Sequence, residues 1–163
     1  MKILVVSDTH GDHTTLRMAI EEEAPFDLLL HLGDTVGYED YIEELAKEKA
    51  GCTVCMVRGN CDYTGDLPSE RVLKLGNTKI FMTHGHKYHV KDGLWYLKSE
   101  ARKKGCTIAL YGHTHVPEID EGDVVAINPG SLSQPRQFDR MASYAVLTVE
   151  DDGGVEYEIK YLD

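Results

Sequence analysis

The sequence predicts an α/β sandwich of two mixed β-sheets with helices on the outer faces. Three observations predict it. The first half alternates apolar, β-branched runs with helical patterns, which makes a βαβαβ start and parallel strands. The second half opens on a strand pair and continues with short, alternating strands. Short polar clusters, most with Gly, follow several of the strands, where α/β folds place their sites.

The elements follow in order. Residues 2–7 are apolar and β-branched, hence a strand. Residues 13–24 carry Leu16, Ala19 and Ile20 at helical spacing, hence a helix that His13 begins. Residues 27–32 form a second strand, 39–50 a helix and 52–57 a third strand. Strands at 70–75 and 78–84 meet at Gly76-Asn77, a hairpin turn signal. A helix over 92–104 precedes strands near 107–111, 123–128, 143–149 and 155–161, the last two joined by Asp151-Asp152-Gly153-Gly154. No repeat, linker or domain boundary interrupts the chain, so residues 1–163 read as a single domain.

Composition narrows the function. Lys and Arg total 17 against 28 Asp and Glu, a formal charge of −11. That argues against a general nucleic-acid binder, which needs a basic footprint. It leaves room for a local phosphate site whose positive charge comes from metal. No apolar stretch reaches the length of a membrane span. The first residues, Met1-Lys2-Ile3-Leu4-Val5-Val6-Ser7, lack the apolar length and cleavage site of an export signal. The expectation is a cytoplasmic protein with free thiols. Cys52 and Cys55 form a C-x-x-C on a strand, where residues three apart face opposite ways. They read as core residues rather than a metal pair.

The chemistry gathers at strand ends. Strand one ends in Ser7-Asp8-Thr9-His10-Gly11, strand two in His31-Leu32-Gly33-Asp34, and strand three in Arg58-Gly59-Asn60-Cys61-Asp62. Later strands end in Thr83-His84-Gly85-His86 and Gly112-His113-Thr114-His115. The candidate donors are Asp8, His10, Asp34, Asn60, His84, His113 and His115. Each motif alone has an ordinary structural explanation, such as a turn Asp or a core His. Their conjunction does not. A single ion rarely takes seven donors with four imidazoles among them, whereas two ions sharing a carboxylate do.

This series resembles the calcineurin-like metallophosphoesterase superfamily. The short length, Gly59-Asn60-Cys61-Asp62, Thr83-His84-Gly85-His86 and Asn128-Pro129-Gly130-Ser131 resemble its small YfcE-like phosphodiesterases. The resemblance implies a four-layer α/β/β/α sandwich, the metallo-dependent phosphatase fold. It implies a first metal on Asp8, His10, Asp34 and His115, and a second on Asn60, His84 and His113, with Asp34 bridging. A hydroxide between the ions would attack phosphorus. On the same resemblance Asp34, Asn60 and His84 lie closest to the chemistry.

The implied function is a dinuclear-metal phosphodiesterase acting on a small diester, with a nucleic-acid polymer disfavoured. The cofactors would be two divalent transition-metal ions, Mn foremost, with Zn, Fe, Ni or Co also suited to the donors. Similar proteins often form dimers, so a homodimer is among the implications. Many members carry His after the Gly-Asn pair, where this chain has Cys61. A thiol is a poor proton donor at neutral pH, which points to diesters or to esters with good leaving groups. His86 is expected to line the substrate side, and His31 to be a buried structural residue. His89 has no evident role, and Arg136 is expected to be exposed without a partner. The alternatives are a protein-interaction scaffold on the same fold, as in a retromer subunit whose site has lost ligands, a phosphomonoesterase, or a nuclease.

Overall fold

The computed structural model describes residues 1–163. It contains two five-stranded mixed sheets and three α-helices. The strands are β1 (Lys2–Val6), β2 (Leu28–His31), β3 (Thr53–Met56), β4 (Glu70–Leu75), β5 (Thr78–Thr83), β6 (Ile108–Leu110), β7 (Pro117–Asp120), β8 (Val125–Pro129), β9 (Ser143–Val149) and β10 (Val155–Tyr161). The helices are α1 (Thr14–Glu23), α2 (Glu39–Ala50) and α3 (Trp95–Lys103).

The first sheet runs β10-β9-β1-β2-β3 and the second β4-β5-β6-β8-β7. In the first, β1, β2 and β3 are parallel. In the second, β5, β6 and β8 are parallel. The remaining strands pair antiparallel at the edges. Each parallel trio therefore delivers its C-terminal ends to one edge of its sheet.

Side-chain alternation builds the four layers. On β1, Ile3 and Val5 face the second sheet, packing with Leu30, Ile80, Met82, Leu110 and Ile127. Leu4 and Val6 face the other way, against Leu16 and Ile20 of α1 and Ile42 and Leu45 of α2. On the far side, Phe81, Ala109 and Ala126 pack against Leu97 and Ala101 of α3. The central strands are buried on both faces, which is why β1 reads as an unbroken apolar run. The same alternation separates the cysteines: Cys52 joins the core under the helices, and Cys55 packs toward the sheet interface. All four cysteines are free.

The expected elements are present, with ends shifted by a few residues at most. One strand, β7, has no counterpart in the sequence reading. It is short, opens on Pro117 and carries two acidic residues, so it lacks the apolar signal of its neighbours. It is an edge strand on β8, where Pro costs no ladder bond. The third helix begins at Trp95 rather than at 92, because a 3₁₀ turn at His86–Tyr88 and Gly93, at φ 134°, occupy the approach.

Candidate metal centre

The two sheets stack so that their C-terminal edges meet, and all seven expected donors converge there. Asp8 and His10 follow β1, Asp34 follows β2, and Asn60 follows β3. His84 follows β5, and His113 and His115 follow β6. The first sheet thus contributes four donors and the second three.

One oxygen of each carboxylate is held by protein donors and the other is left bare. Asp8 Oδ2 accepts from the Ser7 hydroxyl at 2.6 Å and the His113 N–H at 3.1 Å. Asp8 Oδ1 is buried and accepts no hydrogen bond. It faces His115 Nε2 at 3.1 Å, His10 Nε2 at 3.8 Å and His84 Nε2 at 3.9 Å. Asp34 Oδ1 accepts from the Cys61 N–H at 2.8 Å, and Oδ2 faces His84 Nε2 at 3.4 Å and His10 Nε2 at 3.6 Å. Ligand atoms of Asp8, His10, Asp34 and His115 all lie within 4.8 Å of one another.

The ring nitrogens are assigned by what they touch. His84 Nδ1 meets the Leu32 carbonyl at 2.7 Å, and His115 Nδ1 meets the Gln134 carbonyl at 2.8 Å. A carbonyl only accepts, so each Nδ1 carries hydrogen and, in the neutral ring, each Nε2 turns a lone pair into the site. The Asn60 carbonyl oxygen then sits 3.0 Å from His84 Nε2 and 2.8 Å from His113 Nδ1. Acceptors facing acceptors, around an orphaned carboxylate oxygen, are what a buried cation would satisfy. The donor set fits divalent transition metals.

The electrostatics agree. Burial opposes the charge on Asp8, yet the surrounding imidazoles of His10, His115 and His84 outweigh it and hold the carboxyl well below the usual range. Burial would lower the His84 ring, and the carboxylates of Asp34 and Asp8 more than offset that, drawing positive charge into the cluster. His113 is pushed down to about 4, by burial first and then by the charges of His84 and Lys91. A neutral imidazole is the form that binds metal. Burial, with Asp34 beside it, pushes the Cys61 thiol up to about 11.

The backbone is strained where the donors sit. Asp8, His10, Asp34, His113 and His115 have φ of 55°, 44°, 59°, 71° and 60°. Left-handed backbone costs a non-glycine residue energy, which surrounding contacts must offset. Those contacts are polar residues that sequence reasoning had not given roles. Asp62, buried, accepts from the N–H groups of Asp34 and Gly59 at 2.8 and 2.7 Å, and from the Val36 N–H at 2.8 Å. It thereby ties the loop after β2 to the loop after β3. The Ser131 and Ser133 hydroxyls donate to the Asp8 carbonyl at 2.8 and 3.0 Å. Asn128 donates to the Gly112 carbonyl at 3.1 Å and to the Thr114 hydroxyl at 2.9 Å, fixing the His113–His115 loop. The available signal was a buried-type strand ending in a polar residue.

The other residues singled out in the sequence lie as follows. His31 is fully buried between the Thr9 hydroxyl at 3.1 Å and the Gly33 N–H at 3.2 Å, and burial pushes its ring down to about 4. His13 caps α1. The His86 ring lies 5.4 Å from His84 and 6.0 Å from His113 by centroid, beside the donors. Arg136 is exposed, and its N–H donates to the His115 carbonyl at 3.0 Å. Cys61 is partly buried, next to Asn60.

Known proteins resemble this chain in sequence and fold. Residues 1–152 match the sequence profile of the calcineurin-like phosphoesterase superfamily domain. The probable metallophosphoesterase YsnB of Bacillus subtilis is 37% identical over 155 residues, covering 93% of this chain and 86% of its own. A predicted phosphoesterase of Streptococcus pneumoniae, solved by crystallography, superposes with a TM-score of 0.78 at 31% identity, over 99% of this chain and 97% of its own. Vps29 of Entamoeba histolytica, crystallised with Zn, superposes at 0.77 with 26% identity over 99% of both chains. No helix is long and apolar enough to cross a membrane.

Proposed function

This chain belongs to the calcineurin-like phosphoesterase superfamily, and from that premise we propose that it is a two-metal phosphodiesterase acting on small phosphodiesters. The coarser activity, metal-dependent hydrolysis of phosphate esters, goes with the family. The two-ion reading is carried by one observation: the donors fall into two groups that share Asp34. Asp8, His10 and His115 surround one side of it. Asn60, His84 and His113 form the other, joined to it through His84 at 3.4 Å.

Divalent ions bound there, with Mn as the activating metal, would supply Lewis-acid charge and a water acidic enough to ionise at neutral pH. The chain's own residues hold and orient. Asp34 presents one bare oxygen to both groups while the Cys61 N–H fixes the other. The hydrogen bonds at His84 and His115 Nδ1 aim both Nε2 atoms inward. The His86 ring lies 5.4 Å from that of His84 by centroid, with its Nδ1 buried and without a hydrogen-bond partner.

The test is hydrolysis of bis(p-nitrophenyl) phosphate with metal counting. Chelator treatment should abolish it, and Mn should restore it at about two ions per chain. Two bound ions without hydrolysis would instead favour the second reading, a protein-interaction scaffold, which the likeness to Vps29 supports. A companion prediction concerns Cys61. A thiol is a weak hydrogen-bond donor and poor acid, so Cys61→His should raise turnover of alkyl esters relative to aryl esters by about tenfold or more. An unchanged ratio would sink the idea that this position meets the leaving group.

A further inference from the structure

Beside the metal centre the chain builds a second surface that the hydrolytic chemistry does not use. The sole tryptophan, Trp95, is 70% exposed, and Tyr96 is 58% exposed. Lone exposed aromatics are ordinary, but these form a cluster. Trp95 and Tyr96 stand edge to face with centroids 4.9 Å apart, and His89 meets Tyr96 at 6.0 Å. With Lys87 and Ser99 they line a groove of about 480 Å³. Lys103 and Lys104 are ion-paired with Glu100, whereas Lys87 and Lys91 pair with no carboxylate, in a chain of net charge −11.

The groove adjoins the centre. His86, 5.4 Å from His84 by ring centroid, opens the 3₁₀ turn that leads to His89. Aromatic faces beside the unpaired Lys87, in a groove whose other lysine, Lys103, is paired with Glu100, accept a base by stacking and a phosphate by charge, with little sequence preference. The acidic remainder of the surface repels a long polyanion, so the fitting ligand is short.

We propose that this groove holds the nucleoside arm of the substrate, and that the substrate class is short nucleotide diesters. The proposal rests on the phosphodiesterase reading for the bond cleaved. Hydrolysis adds water across one P–O ester bond: the hydroxyl oxygen goes to phosphorus, and the departing nucleoside leaves as an alcohol with the remaining proton.

Trp95, being the only tryptophan, reports occupancy by its fluorescence. Titrating chelator-treated protein with the dinucleoside monophosphate TpT should quench it saturably, and inorganic phosphate should not. In metal-loaded protein, Trp95→Ala should raise KM for TpT about tenfold more than KM for methyl p-nitrophenyl phosphate, with Trp95→Phe recovering most of the loss. Hydrolysis of the methyl ester together with no quenching by TpT and no selective KM effect overturns the nucleotide proposal and leaves the phosphodiesterase standing. Quenching by TpT with neither ester hydrolysed supports the groove and overturns the phosphodiesterase. Quenching by phosphate and TpT alike overturns the stacking role.

Discussion

Asp34→Asn is expected to lower kcat/KM for bis(p-nitrophenyl) phosphate by about 10³-fold or more, with only a modest loss of stability in the metal-free fold. The substitution keeps the shape and keeps an oxygen for the Cys61 N–H, now at 2.8 Å. It removes the charge that both donor groups share. A few kcal/mol of lost charge stabilisation is worth that factor in rate. The metal-free protein behaves differently. There, burial and the Asp8 carboxylate oppose ionisation of Asp34, but the His84 ring and the Cys61 N–H outweigh them and hold its carboxyl below the usual range. Replacing a carboxylate that the fold holds ionised removes that stabilisation, so the melting temperature without metal should fall modestly at neutral pH. The rise in melting temperature on adding Mn should shrink sharply, since ligand stabilisation follows affinity. A variant that keeps a tenth of the activity would show that Asp34 is not at the reacting centre.

Gly59→Ala should be nearly as damaging by another route. A Cβ at Gly59 would lie 2.1 Å from Asp34 Oδ1 and 2.4 Å from the Asp34 backbone nitrogen. Neither atom is the free end of a flexible chain, and the Asp62 carboxylate fastens the N–H groups of both residues. The two loops must part, and Asp34 moves with them. Overpacking of this kind costs about 1–3 kcal/mol, or about 2–12 °C in melting temperature for a chain of this size. Activity should fall at least about 100-fold, because a displacement near 1 Å at a reacting group costs that much. Gly51→Ala is the control. It has a left-handed φ of 63°, but its Cβ would meet nothing within 4 Å. It should lose about 1 kcal/mol of stability and no activity. Equal activity losses in the two variants would refute the steric account.

The donors were legible in the sequence because their type and position are both chemical. Asp8, His10, Asp34, Asn60, His84, His113 and His115 each follow an apolar strand, and while each alone has an ordinary structural explanation, their conjunction does not. The layers were legible through alternation, as in Ile3 and Val5 against Leu4 and Val6. What escaped was support and assembly. Asp62 reads as a turn residue until the fold brings Asp34, Gly59 and Val36 to it. Strand β7 has too little apolar content to announce itself. Lys87, His89, Trp95 and Tyr96 form no stripe along the chain, and only the turn into α3 gathers them.

The left-handed backbone at five of the donors also limits how this chain can change. Such φ values are tolerated by Asp, Asn, His and Gly far more readily than by Val, Ile or Thr. Any replacement must satisfy the backbone before it meets any chemical demand. A descendant released from catalysis would therefore drift at Asp8, His10, Asp34, His113 and His115 toward Asn or Gly, and seldom toward branched apolar residues. The mouth of the sandwich would keep its shape after its reaction was gone. That is a route by which one fold passes from chemistry to recognition through a handful of single substitutions.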